Sequence, residues 1–306
     1  MSFLLEIQDL QKVYKNKKAL DGVSFSVKEG SCFGLLGPNG AGKSTTMKIL
    51  TGVLASDGGN ISMFGKDALK HRKAILQHIG YVPQDIVLYE KLSAYDNLSF
   101  FGKCYGLDGD VLKKRIDDVL KQTGLTDRAK DTVKSYSGGM KRRINIAAAL
   151  LHNPKLLILD EPTVGIDPQS RNHIFDMIRS LKEQGTTVIY STHYMEEVEA
   201  LCDEIAIIDK GEVVTQGTLD YLFTEYGRKA IYMESETSFP TEKLTGIEAV
   251  HSHHQGLIIE TAAPIDLMEQ IIHISKEKKI LLHRLEIEKP SLEAVFLSLT
   301  GKTLRD

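Results

Sequence analysis

The sequence predicts an α/β fold that is built around a phosphate-binding loop and carries a helical insert and a small C-terminal α+β domain. A glycine-rich motif of the form G-x-x-x-x-G-K-[ST] begins at Gly37, between an apolar run and a helical pattern. Two later apolar runs, at residues 156–159 and 186–192, are typical of strands buried on both faces of a parallel sheet. From about residue 223 the pattern changes to short strands and helices, and 306 residues are comfortable for two domains.

The glycine-rich motif has the context that a phosphate-binding loop requires, which disfavours the alternative of a glycine turn before an ordinary helix. Residues 32–36 predict a short buried strand, residues 46–50 continue helically, and Gly52 is placed to end that helix. Glycines let the backbone turn its N–H groups inward, where the helix N-terminus adds partial positive charge. Lys43 brings a full charge to the outer phosphates, and the Ser44 hydroxyl is a ligand for Mg²⁺. The candidate nucleotide contacts in the loop are Asn39, Gly40, Ala41, Gly42, Lys43, Ser44 and Thr45.

The bulk composition argues against several classes of protein. With 42% hydrophobic and 26% charged residues the composition is that of an ordinary soluble globular protein, and a net charge of −3 gives no basic field for nucleic acid. Cys32, Cys104 and Cys202 are odd in number and far apart along the chain, so the sequence suggests neither a disulfide framework nor a zinc site. The N-terminus does not have the pattern of a signal peptide, and no apolar run approaches the roughly 20 residues that cross a bilayer. If the protein acts at a membrane, we expect another polypeptide to span it.

The N-terminal part of the chain alternates strand-like runs with turns. The runs that predict strands are 4–7, 23–27, 61–64 and 79–83. Tyr14 follows the first run and is either a half-buried strand tyrosine or an aromatic face on which an adenine ring stacks. Gln84 comes directly after the last run, where a glutamine on its own is usually a solvated polar residue.

A helical insert of about residues 90–153 interrupts this strand-rich pattern. Residues 92–105 and 111–123 predict two amphipathic helices. Ser137 then stands where a helix N-cap belongs, and it is followed by Gly138, Gly139 and three cations. The pattern predicts a second helix N-terminus suited to an anion, although Ser-Gly-Gly alone is common in loops.

Two adjacent carboxylates, Asp160 and Glu161, follow the buried run at 156–159. Because ligands bind at the carboxyl ends of strands in open α/β sheets, we expect Asp160 to bind Mg²⁺ rather than to serve only as a turn residue. Successive strand residues point to opposite faces, so both carboxylates reach one site only if the strand stops at Asp160. Pro162 favours that stop, and Glu161 is then the candidate general base that aligns and deprotonates a water. His193 ends the next buried run at the same edge, within reach of a phosphate.

The C-terminal part of the sequence predicts a small α+β domain. The predicted strands are 230–234, 249–252, 257–261 and 281–287, and the predicted helices are 265–276 and 292–299. His251, His253 and His254 cluster before a Gln-Gly turn, but no carboxylate or thiol completes a ligand set for a metal there.

The assembled order of motifs resembles the ATP-binding subunit of ABC transporters. The motifs that carry the resemblance are residues 37–45, Gln84, residues 137–139, residues 160–161, Asp167 and His193, and the resemblance covers residues from about 3 to 222. It implies a P-loop NTPase core, an ABC ATPase domain of residues 1–222 with the helical subdomain at about 90–153, and an accessory α+β domain of residues 223–306. It also implies ATP hydrolysis with Mg²⁺, coupled to transport.

The resemblance implies a role for each matched residue. Residues implied to contact nucleotide outside the phosphate loop are Tyr14, by adenine stacking, and Ser137, Gly138 and Gly139, at the γ-phosphate of an opposite subunit. Residues implied to hold Mg²⁺ are Ser44, Gln84 and Asp160, and those implied to act in catalysis are Lys43, Glu161 and His193. Gln84 would also couple the site to the membrane partner, and Asp167 resembles the D-loop aspartate.

The sequence departs from the common family pattern at a few positions. The signature loop has Tyr136 before its serine and Met140 after its glycines, where leucine and glutamine are common. Together with the C-terminal segment 292–301, these variants resemble the branch that serves drug, antibiotic or other export permeases. The phosphate-contacting serine and glycines are kept, so we expect the variants to change the rate and not the activity.

The resemblance also implies partners. It implies an integral membrane permease and a second copy of this chain, or a related ATPase subunit, in a head-to-tail ATP sandwich, with the protein in the cytoplasm at the inner face of the cell membrane. One alternative is a soluble ABC ATPase that acts on nucleic acid or ribosomes, but that class typically has two cassettes or a long coiled coil, and we expect no nucleic acid partner. The other alternative, nucleotide binding without turnover, is disfavoured by the intact Glu161 and His193.

Overall fold

The structure is a computed structural model that describes residues 2–227, 229–253, 255–288 and 290–301. Its strands are β1 (Phe3–Tyr14), β2 (Lys17–Lys28), β3 (Cys32–Leu36), β4 (Gly58–Met63), β5 (Lys66–Asp67), β6 (Ile79–Val82), β7 (Leu156–Asp160), β8 (Thr187–Thr192), β9 (Glu204–Asp209), β10 (Glu212–Thr218), β11 (Ala230–Ser235), β12 (Ala249–His253), β13 (Gly256–Glu260) and β14 (Leu282–Glu288). Its α-helices are α1 (Lys43–Leu50), α2 (Arg72–Leu76), α3 (Ala94–Cys104), α4 (Gly109–Gln122), α5 (Gly138–Leu150), α6 (Pro168–Glu183), α7 (Met195–Leu201), α8 (Leu219–Tyr226), α9 (Pro264–Lys278) and α10 (Leu292–Thr300). The chain divides into two units, and the division falls between Leu219 and Asp220.

A six-stranded sheet of order β10-β9-β3-β8-β7-β6 forms the centre of the first unit. Strands β9, β3, β8, β7 and β6 run parallel, and β10 pairs antiparallel with β9 through the turn at Lys210 and Gly211. Strands β3, β7 and β8 are buried at every residue, as continuous apolar runs in a covered parallel sheet should be. Because these strands are parallel, their carboxyl ends meet at one edge of the sheet.

A second sheet of order β2-β1-β4-β5 is antiparallel and packs on the apolar core of the same unit. Its residues Leu5, Ile7, Leu10 and Val23 are fully or almost fully buried, and Phe25 stacks on Phe33 of the central sheet with ring centroids 5.2 Å apart. This sheet carries Tyr14 at the end of β1.

The helical insert contains α3, α4 and α5, and the predicted positions of all three helices are confirmed. Helix α4 buries Leu112, Ile116, Val119 and Leu120, which recur at helical spacing on one face. Ser137 is the N-cap of α5, as its position before two glycines predicts, and its hydroxyl accepts a hydrogen bond from the Met140 amide at 3.3 Å.

The second unit contains a four-stranded antiparallel sheet of order β12-β13-β11-β14. Its core consists of residues from β11, β13 and α9 with two loop residues: Ile231, Met233, Phe239, Leu244, Ile259, Leu267, Ile271 and Ile274. All of the strands and both helices that the sequence predicts in this part are present, with ends shifted by one or two residues.

The predicted α/β fold is confirmed, and the sequence-based element assignment was incomplete in several places. The prediction missed the short elements β5, α2 and α8, and its strand at 61–64 did not include residues 58–60, which open β4. Strands β1 and β2 are longer than the predicted runs, because their pairing continues through register shifts that break the alternation of apolar and polar residues. The sequence separation of the cysteines also concealed that the Sγ atoms of Cys32 and Cys202 lie 3.8 Å apart, as free thiols.

None of the helices in the described part of the chain has the length and the apolar character that crossing a bilayer requires.

Candidate active site

The phosphate-loop motif lies between β3 and α1, at the carboxyl edge of the central sheet. A Cβ atom at Gly37 would lie 2.2 Å from the backbone oxygen of Ile208, so only glycine fits there. Gly42 has a φ angle of +115°, and a Cβ atom there would also crowd Ala19 and Leu20. Gly42 is the N-cap of α1 and provides no side-chain cap, so the first N–H groups of the helix are not capped by that residue. The local sequence therefore produces an anion-binding concavity.

Lys43 is the first residue of α1 and is almost completely buried, with 4% of its surface exposed. Its Nζ donates hydrogen bonds to the backbone oxygens of Gly37, at 2.7 Å, and Pro38, at 3.1 Å. The same Nζ lies 3.2 Å from Oε1 of Glu161. Burial lowers the pKa of Lys43, and the charges of Glu161 and Asp160 act in the opposite direction. The ammonium is thus held at the loop by oxygen atoms, including a carboxylate with which a phosphate would compete.

Asp160 is the last residue of β7, and it is 1% exposed. Its Oδ1 accepts hydrogen bonds from the hydroxyls of Ser44, at 3.0 Å, and Ser191, at 2.7 Å. Burial raises the pKa of Asp160, while both hydroxyl bonds lower it. A hydroxyl and a carboxylate brought together in this way are hard oxygen ligands, and their chemistry fits Mg²⁺.

Strand β7 ends at Asp160, as the sequence predicts, and the chain then turns sharply. Glu161 has a φ angle of +47°, a left-handed conformation that is uncommon for a residue other than glycine. Its backbone N–H donates to the backbone oxygen and to the hydroxyl of Ser191, each at 3.1 Å, which holds the turn. Because of this turn, the Glu161 side chain faces the same site as Asp160 and does not point to the opposite face of the sheet.

Three polar side chains surround the Glu161 carboxylate, which is 5% exposed. Lys43 is the first; the second is His193, whose Nδ1 lies 3.3 Å from Oε1. The third is Gln84, whose Nε2 donates to Oε2 at 3.3 Å. Residues from four distant segments of the sequence therefore meet at one carboxylate.

A cavity of about 330 Å³ opens over this cluster. It is lined by Tyr14, Lys17, Ala19, Asn39, Gly40, Gly42, Lys43, Ser44, Thr45, Gln84 and Glu161. Tyr14 is 46% exposed, and Nζ of Lys12 lies 5.9 Å from its ring centroid. The exposed ring at the rim of the cavity is compatible with either interpretation of Tyr14, and the position favours adenine stacking.

The structure does not bring the Ser137 loop into this cavity. The Ser137 hydroxyl caps its own helix, and neither glycine of the loop lines the cavity. A Cβ atom at Gly139 would lie 2.0 Å from Oγ of Ser170, so Gly139 also has a packing role between α5 and α6 that the sequence did not indicate. Asp167 caps α6 by accepting a hydrogen bond from the Ser170 amide at 2.8 Å, which holds its pKa below the usual range.

The three cations that follow Gly138 and Gly139 are bound to other groups of the chain. Arg142 is 5% exposed and donates to the backbone oxygens of Pro83, at 2.9 Å, and Gln84, at 2.6 Å. Arg143 donates to the backbone oxygen of Thr123, and Lys141 pairs with Glu90. Arg142 therefore connects α5 to the segment that carries Gln84, and no sequence pattern predicts this contact.

The histidine cluster of the second unit gives no metal centre that the structure can describe. His254 lies outside the described residues, and His251 lies 3.2 Å from Glu260 through its Nε2. Within the described ranges, no group of three or more His, Cys, Asp or Glu residues is arranged to hold a metal ion.

The chain is similar to known proteins over its whole length. Residues 20–164 match the family model described as ABC transporter. The chain is 46% identical over 311 aligned positions to the Linearmycin resistance ATP-binding protein LnrL of Bacillus subtilis (strain 168), covering 99% of this chain and 100% of the relative. It is 36% identical to a Nod factor export ATP-binding protein I of Ralstonia nicotianae (strain ATCC BAA-1114 / GMI1000), covering 99% of this chain and 95% of the relative.

A solved structure of an ATP-binding cassette, described as a dimer in a post-hydrolysis state with bound ADP and Pi, is similar to part of the chain. The two are 27% identical, with a TM-score of 0.65, over 70% of this chain and 98% of the cassette.

Proposed function

This chain belongs to the ABC transporter family as an ATP-binding, ATP-hydrolysing subunit, and we propose that it powers the export of a small molecule through a separate membrane permease. The export assignment is supported by the names of its relatives, one of which confers resistance to linearmycin and another of which serves Nod factor export. Both names favour transport over an ATPase that acts on nucleic acid or ribosomes.

The single observation that carries the proposed mechanism is the Glu161 carboxylate held among Lys43, His193 and Gln84, beside Asp160. Lys43 and the loop amides bind the β- and γ-phosphates. Glu161 aligns a water for attack on the γ-phosphorus and accepts its proton, and His193 orients the carboxylate. The new P–O bond forms from water, the bond from the γ-phosphorus to the bridging oxygen breaks, and the products are ADP and phosphate.

Ser44, Asp160 and Gln84 are the residues that would hold Mg²⁺. Ser44 and Gln84 line the cavity, and the Ser44 hydroxyl donates a hydrogen bond to the Asp160 carboxylate at 3.0 Å, so the two oxygen ligands lie together beside the phosphate loop. The ion would neutralise charge on the phosphate oxygens, which is its general part in phosphoryl transfer.

We propose that the Ser137 loop of a second copy of the chain contacts the nucleotide bound by the first copy. Within one chain this loop does not line the cavity, so it has no access to nucleotide there. A head-to-tail pair would lay Ser137, Gly138 and Gly139 of one copy over the phosphate loop of the other. The similar cassette that was solved as a dimer supports this arrangement.

The protein would act at the inner face of the cell membrane, bound to the permease. The unit that begins at Asp220 contains none of the nucleotide-site residues, which supports an accessory role in regulation or in dimer formation.

Hydrolysis by the purified full-length chain tests the site assignment. Lys43→Ala should raise the ATP concentration that gives half-maximal hydrolysis. With saturating ATP and Mg²⁺, Glu161→Gln should lower the hydrolysis rate by about 10²–10⁴, the usual loss when a proton-transfer group is removed. Lys48→Ala is the matched control, because Lys48 is exposed on the same helix. If Glu161→Gln hydrolysed ATP at the wild-type rate, Glu161 would not be the base.

A further inference from the structure

A buried carboxylate outside the cavity connects the two chain segments that flank the reacting centre. Glu197 lies in α7 and is 2% exposed. Its Oε1 accepts a hydrogen bond from the Thr163 hydroxyl at 2.6 Å, and its Oε2 accepts bonds from Tyr190, at 2.9 Å, and Thr192, at 2.7 Å. The three hydroxyl residues are themselves 5% exposed or less, so the whole cluster is closed to solvent.

The hydrogen bonds to the Glu197 carboxylate in the described residues come from three hydroxyl groups. No lysine, arginine or histidine of the described ranges forms an ion pair with it, although a buried carboxylate is costly without compensation. Burial, and next the Glu197 charge, raise the pKa of Tyr190 well above its ordinary value, so Tyr190 stays protonated and can donate. A buried carboxylate with three converging donors is a rigid junction, because moving any one donor leaves part of the charge unpaired.

The donors belong to the segments that carry Glu161 and His193. Thr163 is two residues after Glu161, and Thr192 immediately precedes His193. The Thr192 hydroxyl also accepts a hydrogen bond from the Tyr194 amide at 3.0 Å, which fixes the backbone on the far side of His193. Glu161 and His193 meet at 3.3 Å, so their relative position depends on how these two segments are held together.

We propose that Glu197 is a positioning residue for ATP hydrolysis. By accepting hydrogen bonds from both Thr163 and Thr192, it holds His193 within contact distance of the Glu161 carboxylate. Glu197 is buried and does not line the cavity, so it acts through the two segments. This inference rests on the proposed roles of Glu161 and His193.

The first test compares Glu197→Gln with Glu196→Gln in the full-length chain. Glutamine has the shape of glutamate but only one acceptor oxygen, so it cannot accept all three hydroxyl bonds at once. We expect the turnover number to fall about tenfold to a hundredfold, the loss that a displacement of about 1 Å can produce, with the dissociation constant for ATP within about twofold of wild type. Glu196 is the exposed neighbour in α7, so Glu196→Gln makes the same charge change and should hydrolyse ATP normally.

The second test separates positioning from simple folding and remains available if Glu197→Gln does not fold. Thr192→Val replaces the hydroxyl with a methyl of similar size, whereas Thr192→Ser keeps the donor. We expect Thr192→Val to have a lower turnover number than wild type with an unchanged ATP affinity. Thr192→Ser should keep most of the wild-type turnover. A wild-type turnover number for Thr192→Val or for Glu197→Gln would overturn the proposal. It would also be overturned if turnover fell only in proportion to the fraction of folded protein.

Glu161→Gln, assayed in parallel, distinguishes the failure of this inference from that of the proposed function. If Glu161→Gln is inactive and Glu197→Gln is fully active, only the positioning role is wrong. If Glu161→Gln is itself active, Glu161 is not the base, and the proposed function fails together with the positioning role that rests on it.

Discussion

At the scale of single residues, Glu161 illustrates how backbone conformation determines chemistry. Its left-handed φ angle of +47° turns the side chain toward Lys43, which lies at 3.2 Å. Residues other than glycine adopt this conformation at some cost in free energy, and such residues are often found at functional sites. The consequence is that the carboxylate proposed as the base also forms an ion pair with the ammonium proposed to bind phosphate.

Glu161→Gln should therefore bind ATP more tightly than wild type. The substitution removes a negative charge beside the phosphates and releases Lys43 from its ion pair. We expect a decrease in the dissociation constant of about tenfold, which corresponds to ~1.4 kcal/mol. Titration with a fluorescent ATP analogue, with Glu196→Gln as the charge-matched control, measures the change. An unchanged or weaker affinity would show that Lys43 and Glu161 do not compete in this way.

The sequence identified many residues of the site but not the contacts between them. The phosphate-loop motif, the two carboxylates at the end of β7 and His193 are each visible in the sequence, because motif, strand end and residue type coincide. The donation from Gln84 to Glu161, the anchoring of the Gln84 segment by Arg142 and the Glu197 cluster are not visible. These contacts join segments that only the tertiary fold brings together. The sequence also does not distinguish a buried glutamate in a helix from an exposed one.

At the scale of elements, one side chain binds the residues that precede β4 to the end of β1, the strand that carries Tyr14. Asp57 precedes β4, and its Oδ2 accepts a hydrogen bond from the Val13 amide at 2.7 Å, while Oδ1 accepts one from Nζ of Lys12 at 2.9 Å. The hydrogen bond from Lys12, followed by that from Val13, lowers the pKa of Asp57 below its ordinary value of 3.8. The strand predicted in this region began only at residue 61, and no sequence pattern indicated these contacts of Asp57.

Asp57→Asn should lower the thermal midpoint by a few degrees at neutral pH. A carboxylate with a depressed pKa contributes stability above its unfolded-state pKa and loses it as the pH falls through the folded-state value. The difference between wild type and Asp57→Asn should therefore be full at pH 7 and shrink as the pH falls below about 4. Thermal melts from pH 7 to pH 3 measure it, with Asp117→Asn on the exposed face of α4 as the control. A difference that grew on acidification would contradict the assignment.

At the scale of the whole molecule, the division between Leu219 and Asp220 lies close to the boundary expected at residues 222–223. That boundary was visible because the motifs stop there and the hydrophobic pattern changes. The antiparallel sheet of the first unit was not foreseen, because strand order depends on pairing between distant segments. The Ser137 loop also stays outside the cavity, so a single chain would lack the contact to nucleotide that we propose for this loop.

A chain that ends at residue 222 should still fold and bind ATP, because every residue that lines the cavity lies in the first unit. We expect a cooperative melt whose midpoint rises with ATP, with a stabilisation of about 2.7 kcal/mol at 100 times the dissociation constant. The same truncation with Lys43→Ala should lose most of that rise. A truncated chain that folded but did not bind ATP would show that the two units are not separable for this function.

We propose that a second copy of the chain completes the active site, and light scattering on a trapped variant tests this arrangement. Glu161→Gln keeps the shape of the site but removes the base, so ATP should persist and hold two chains together. We predict that Glu161→Gln with ATP and Mg²⁺ has the mass of a dimer, and that the double variant with Ser137→Arg, whose large cation replaces the γ-phosphate contact, has the mass of a monomer. If the double variant dimerised as well as Glu161→Gln alone, the Ser137 loop would not be part of the site.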